Sequence, residues 1–222
     1  MSAGTSLPRG GCAITSGSGE LPAVAVSLTG PTAARARIQA RRAIEAGADV
    51  LELRVDLLEE ADALVAFAEA SGAESPAPDP MVVVTAAAQV LECLRRMVDV
   101  VDGVPLLLTC RTATEGGRAH LDDAGYGAVL GAVLDDLSTW APERRPAAID
   151  VEVQRGCLPG VSEQAHGLGI DVVASFHDFE ATPADDVLEE VLARMVNEGA
   201  DLAKIAVWPT SADDVARLLG VC

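Results

Sequence analysis

The sequence predicts an α/β protein, because apolar strand-like runs alternate with helix-like segments along most of its length. That alternation is the mark of βαβ units on a parallel sheet. Composition agrees: half the residues are hydrophobic but only 3% are aromatic. A core made of Ala, Val, Leu and Ile suits helices packed on a parallel sheet better than an all-β sandwich. With 222 residues the chain can fold as one large domain with a sizeable core. Two architectures fit the pattern, an open doubly wound sheet and a (β/α)8 barrel.

Residues 1–21, small, polar and glycine-rich, are expected to be a disordered tail before a single domain over 22–222. The glycines at 17 and 19 precede a strand instead of following one, so they do not make a nucleotide-binding loop. Val24 to Leu28 reads as the first strand, and Ala33 to Ala46 as a helix closed by Gly47. A second strand runs from Val50 to Val55, with a helix over about 59–70 behind it. Residues 72–80, with Pro76, Pro78 and Pro80, form a break. A helix over about 86–101 follows, although Met81 to Val84 alone has the composition of a strand. Val104 to Arg111 is the third strand, and 122–140 is helical. Ala148 to Val153 is the fourth strand, 162–169 a short helix, and Asp171 to His177 the fifth strand. Residues 183–198 form a helix with Asp185 and Asp186 in its first turn and Gly199 past its end. The sixth strand is centred on Lys204, and the last helix begins at Ser211, whose hydroxyl and Asp214 can cap it reciprocally.

A net charge of −18 argues against nucleic acid and anionic membrane surfaces as partners. The five cysteines are odd in number and lack a CxxC pair, so they read as reduced residues of a cytoplasmic protein. The three histidines have no metal-ligand spacing, and neither a membrane span nor a signal peptide is expected.

The polar residues of the strands keep to one parity. Glu52, Arg54 and Asp56 share a face of the second strand, and Thr109 and Arg111 a face of the third. Asp150 with Glu152, Ser175 with His177, and Leu202 with Lys204 do the same on the next three. The alternate positions, such as Leu51, Leu53, Leu108, Ile149, Val151 and Ile205, are apolar. Charged groups near the C-terminal ends of successive parallel strands converge on one mouth, where such barrels carry their chemistry. Lys204 is the only lysine in the chain, and its setting among Leu202, Ile205 and Val207 is that of a buried residue. Burial disfavours the ammonium form and makes the amine a nucleophile towards carbonyls. His177 suits proton transfer at neutral pH, and Glu152 is expected to orient that imidazole. Arg54 and Arg111 would hold an anionic or hydroxylated molecule, and Glu52 would accept from its hydroxyls. Duller roles are open to each: Arg54 with Asp56 as a salt bridge, His177 as a helix cap.

Glu-Leu-Arg-Val-Asp at 52–56, Cys-Arg-Thr-Ala-Thr-Glu-Gly-Gly at 110–117, Ile-Asp-Val-Glu at 149–152, Ser-Phe-His-Asp-Phe at 175–179 and Lys-Ile-Ala-Val-Trp-Pro at 204–209 resemble type I 3-dehydroquinate dehydratases, in order and from about residue 24 onward. The resemblance implies a (β/α)8 TIM barrel, commonly homodimeric, without metal or cofactor. It implies dehydration of 3-dehydroquinate to 3-dehydroshikimate in the shikimate pathway. It assigns Lys204 to the Schiff base, His177 to general acid–base work and Glu152, with Asp150 beside it, to the carboxylate behind the histidine. Glu52, Arg54 and Arg111 fall on substrate-contacting positions, and Glu115 on a supporting one. Trp208 stands where the family usually has methionine. The segment over 72–103 is longer than in the family.

Six strands are legible, whereas the resemblance implies a barrel closed by two more, which carry an arginine, a serine and a glutamine for the substrate. The expected architecture is therefore an incomplete barrel of about six βα units, shortened at its C-terminus, with the lysine strand on an open edge. A class I aldolase and a binding or regulatory remnant with impaired catalysis are the alternative functions.

Overall fold

The computed structural model describes residues 23–67, 78–101 and 103–221. The tail expected at 1–21 lies outside them, and so do residues 72–77 of the proline-rich break.

Six strands form one sheet: β1 (Ala25–Leu28), β2 (Val50–Arg54), β3 (Leu106–Thr109), β4 (Ala148–Glu152), β5 (Asp171–Asp178) and β6 (Leu202–Val207). They are all parallel and lie in chain order, β1-β2-β3-β4-β5-β6. A doubly wound sheet reverses its strand order at a switch point; this one does not, so the order is that of a barrel. The sheet also curls. Neighbouring strands lie about 4.8 Å apart, so side chains on β2 and β6 of a flat sheet would be roughly 19 Å apart. The Nζ of Lys204 on β6 is instead 3.9 Å from Glu52 on β2. The strands thus form a curled half-barrel, and among the described residues β1 and β6 each pair on one side only.

Helices α1 (Ala33–Glu45), α2 (Asp62–Val65), α3 (Pro80–Val98), α4 (Asp123–Leu137), α5 (Leu158–Leu168), α6 (Asp185–Asn197) and α7 (Ala212–Val221) connect and cover the strands. In α1 the alanines at 33, 36, 40 and 43 make the buried stripe, at the spacing that gives a helix one apolar face. Thr32 caps it, its hydroxyl accepting from Arg35 N at 3.3 Å. Met81 to Val84 belongs to a helix and not to a strand, because Asp79 accepts from Met81 N and Pro80 occupies the first turn, where a missing N–H costs nothing. The cap expected on the last helix is present: Asp214 N donates to the Ser211 hydroxyl at 3.2 Å and Ser211 N to the Asp214 carboxylate at 3.0 Å.

The core lies between the outer face of the sheet and the helices. Leu51, Leu53, Leu108, Ile149, Val151, Val172 and Ala174 are at most 1% exposed, and each large side chain so buried stabilises by about 1.5–3 kcal/mol. The barrel interior begins with a separate apolar floor of Val50, Leu107, Ala148 and Val173, against which Leu202 packs. Above that floor the inner face turns polar. On β6 the outer positions Ala203, Ile205 and Val207 are only partly covered, which sets this strand apart from the adjoining β5. Among the described residues, no helix is long and apolar enough to cross a membrane.

Candidate active site

Strand alternation puts Glu52, Thr109, Asp150, Glu152, Ser175, His177 and Lys204 on the inner face, and the register stacks them. Glu52 is level with Ser27 of β1, Arg54 with Thr109, Glu152 with Ser175, and Ser175 in turn with Lys204. The parity read from the sequence therefore holds, and the expected site residues meet at one end of the sheet.

Glu52 is 8% exposed. It accepts from the hydroxyls of Ser27 and, at 2.9 Å, Thr109, and Lys204 is its nearest cation. Burial alone would raise this carboxyl; the charge of Lys204, the two hydroxyls and Arg54 outweigh it and hold Glu52 below its ordinary value. Arg54 forms a two-pronged pair with Asp56, both bonds 2.8 Å. Asp56 also accepts from the backbone N–H groups of Arg111 and Arg118 at 3.2 Å each, so it ties the end of β2 to the loop after β3. The salt bridge considered for Arg54 is present, and its side chain stays 19% exposed.

Arg111 is enclosed: its side chain is 3% exposed, and its guanidinium donates to Ser175 at 2.8 Å, Asp150 at 2.9 Å and Glu152 at 3.2 Å, with Glu115 at 3.5 Å. Burial pulls against its charge, but the surrounding Asp150, Glu152 and Glu115 prevail and hold it above the ordinary arginine value. It is the internal strut of a carboxylate cluster.

Glu152 differs from expectation. Its Oε1 accepts from Thr112 N at 2.8 Å, and its Oε2 from the Thr112 hydroxyl at 2.6 Å and Arg155 Nε at 3.1 Å. Those bonds, together with Arg111, use both oxygens. The carboxylate on the histidine is that of Glu115, with His177 Nδ1 hydrogen-bonded to Oε2 at 2.8 Å. A 3-10 turn over Ala113–Glu115 carries it inward, ending at Gly116 in the left-handed region, φ 78°. Gly117 follows because a Cβ there would collide with the Arg111 carbonyl. The Glu-Gly-Gly run is thus the shape that brings an acid across the mouth. Burial pushes Glu115 up; the hydrogen bond to His177 opposes that, and the charge of Glu152 adds to it, leaving the carboxyl above its ordinary value. Its second oxygen, Oε1, has no hydrogen-bond partner among the described residues.

Lys204 sits on the inner face as expected, but its side chain is 37% exposed. The burial read from its apolar neighbours is not met, because β6 pairs on one side only among the described residues. Phe179, just past β5, stacks on His177 with ring centroids 6.0 Å apart. Trp208, at the end of β6, is 59% exposed. Glu115 was legible as a motif member but not as the histidine's partner; the one signal was an acid just before two glycines. Among the described residues no group of His, Cys, Asp and Glu could hold a metal ion. A cavity of about 620 Å³ lined by Val104, Pro105, Pro146, Ala147 and Asp171 opens at the opposite, N-terminal ends of the strands, away from these groups.

Taken together, the arrangement offers a primary amine, an imidazole backed by a carboxylate, and hydrogen-bonding groups facing one concavity. Residues 24–222 match the family model for type I 3-dehydroquinase. The 3-dehydroquinate dehydratase of Klebsiella pneumoniae is 33% identical over 198 residues, covering 88% of this chain and 67% of that protein. That of Listeria innocua is 31% identical over 208 residues, covering 93% and 70%. Among solved structures, type I 3-dehydroquinate dehydratase from Clostridium difficile superposes with a TM-score of 0.71 at 27% identity, covering 90% of this chain and 68% of that one. The chain thus spans about two thirds of the length of these relatives. With the five motifs in order on or just past the strands of a curled parallel sheet, the chain belongs to the type I 3-dehydroquinase family.

Proposed function

We propose that this chain dehydrates 3-dehydroquinate to 3-dehydroshikimate through a Schiff base on Lys204, as part of chorismate and aromatic amino-acid biosynthesis. The observation that carries the reading is the placing of the only lysine on the inner face, level with Ser175 and one inward position below His177 on the neighbouring strand. The amine adds to the substrate ketone, and the carbinolamine loses water to give an iminium. The iminium draws electrons from the adjacent carbon, whose proton His177 takes. The electron pair left behind expels the hydroxyl one carbon further on, and His177 returns its proton to that oxygen as water leaves. Hydrolysis of the iminium then frees Lys204. Glu115, hydrogen-bonded to His177, holds the imidazole and balances its charge when protonated. Glu52 and Arg54 stand at the mouth for the substrate's hydroxyl and carboxylate groups, while Arg111, Asp150 and Glu152 brace the floor beneath them.

The reading calls for no metal or cofactor and takes the protein to be a cytoplasmic homodimer, which family membership supports; the net charge of −18 disfavours nucleic acid and anionic membranes as partners. Light scattering would read the dimer as twice the 22.8 kDa chain. Incubation with dehydroquinate and borohydride is the direct test of chemistry. One ligand mass is expected on the peptide holding Lys204, together with ultraviolet absorbance from dehydroshikimate. No adduct at saturating substrate, or one on the N-terminal amine alone, sinks the Schiff-base reading.

The 37% exposure of the Lys204 side chain favours a second reading, in which water weakens the nucleophile and the chain binds substrate but turns it over poorly. An adduct on Lys204 without measurable product would select it.

A further inference from the structure

We infer that Phe179 is a positioning residue that fixes the imidazole of His177 on Glu115; the inference rests on the proposed dehydratase function for its kinetic consequence only. The chain has three phenylalanines. Phe67 and Phe176 are buried, whereas Phe179 is 56% exposed, so the core does not account for it. Strand alternation continued one step past β5 puts it on the same face as Ser175 and His177. There its ring lies nearly parallel to the imidazole, with an interplanar angle of 17° and a centroid distance of 6.0 Å, within the offset-stacked range of aromatic pairs. Another part of the same ring closes over the Glu115 turn: a Cβ added at Gly116 would lie 2.5 Å from Phe179 Cε2. The ring therefore touches the imidazole and also the backbone one residue beyond its carboxylate.

This contact supplies what the hydrogen bond lacks. Against a carboxylate, which only accepts, Nδ1 is the donor, and that bond holds one atom of the imidazole. The outer torsion of a histidine side chain is soft and broad, so that bond alone leaves the ring free to turn about the bonded atom, even with the side chain 9% exposed. A flat apolar partner on one face removes that turning and aims Nε2 into the concavity. Gly116 is needed for two reasons, its left-handed φ of 78° and the space the phenyl ring occupies.

The test uses the full chain labelled with ¹⁵N-histidine, comparing the parent, F179A and F179Y. The readout is the solvent exchange of the His177 Nδ1–H by NMR, assigned with His177→Gln. Exchange should quicken about threefold to tenfold in F179A, the range a lost aromatic stack supplies, and return to the parental rate in F179Y. In turnover, kcat should fall by a similar factor with KM unchanged. Phe179 is largely exposed, so the far-ultraviolet circular dichroism of F179A should match the parent. Unchanged exchange in F179A, or exchange in F179Y as fast as in F179A, would overturn the inference. So would a rise in KM with kcat intact, which would make Phe179 a wall of the pocket. An inactive parent would count against the dehydratase reading alone, because the exchange measurement needs no turnover.

Discussion

Replacing Arg111 by methionine asks whether one guanidinium holds the buried charge cluster together. The side chain is 3% exposed and serves Asp150, Glu152 and Ser175 by hydrogen bonds and Glu115 by charge. Methionine is long and adaptable, so the cavity left behind is small. What disappears is the cation shared by three buried carboxylates. Removing one partner of a buried pair costs about 3–5 kcal/mol, because it strands a charge. The cost is not tripled, since the acids keep other donors: Ser175 for Asp150, Thr112 and Arg155 for Glu152, His177 for Glu115. For a domain of this size each kcal/mol moves the melting temperature by about 2–4 °C, so a fall of about 6–20 °C is expected by calorimetry at neutral pH. The loss also carries a pH signature. Burial already raises Glu115 and Arg111 opposes that rise, so its removal sends Glu115 higher still. A carboxyl raised in the folded state holds its proton more tightly there than in the unfolded chain. Its contribution to stability is complete below the ordinary value of 4.5 and is lost as pH climbs through the folded value. The gap between variant and parent should therefore narrow on acidification towards 4.5. Melting within about 2 °C of the parent, or a gap that widens in acid, would refute the neutralising role of Arg111.

Glu115→Gln should lower kcat by about a hundredfold, the low end of what general acid–base catalysis contributes; a parental rate in the absorbance assay would remove Glu115 from the proton-transfer unit. The same variant should lose that part of the stability–pH profile which declines as pH rises above 4.5 in the parent. Gly117→Ala drives a Cβ into the Arg111 carbonyl, backbone that cannot turn aside, and should cost about 1–3 kcal/mol. Urea denaturation would register this as a lower midpoint at unchanged slope, and an unmoved midpoint would mean the turn has room to spare.

The sequence by itself determined the parallel α/β architecture, the face each strand presents and the ends of several helices. These follow from local rules: alternation of two along a strand, an alanine stripe at helical spacing in 33–43, a Ser211–Asp214 cap. The residues meeting at the mouth were legible for the same reason, since parity assigns Glu52, Asp150, Glu152, Ser175, His177 and Lys204 to one side without reference to distance. The start of the helix at Pro80 was misplaced because a Met-Val-Val-Val run has strand composition, and only the Asp79 cap and the first-turn proline overrule it. Tertiary structure decided which inward groups actually touch. Parity names a face, but the curl of the sheet and the turn at 113–117 choose the neighbour. They set Glu115 on a histidine 62 residues away and leave Glu152 to Thr112, Arg111 and Arg155. Burial was also decided at that level. Arg111, read as a contact for an anionic or hydroxylated molecule with no indication of its depth, is enclosed because three strands and their loops close around it. Lys204, read as buried from its apolar neighbours, is 37% exposed because among the described residues β6 has a neighbour on one side only, and the covering of a strand depends on what lies beside it in space.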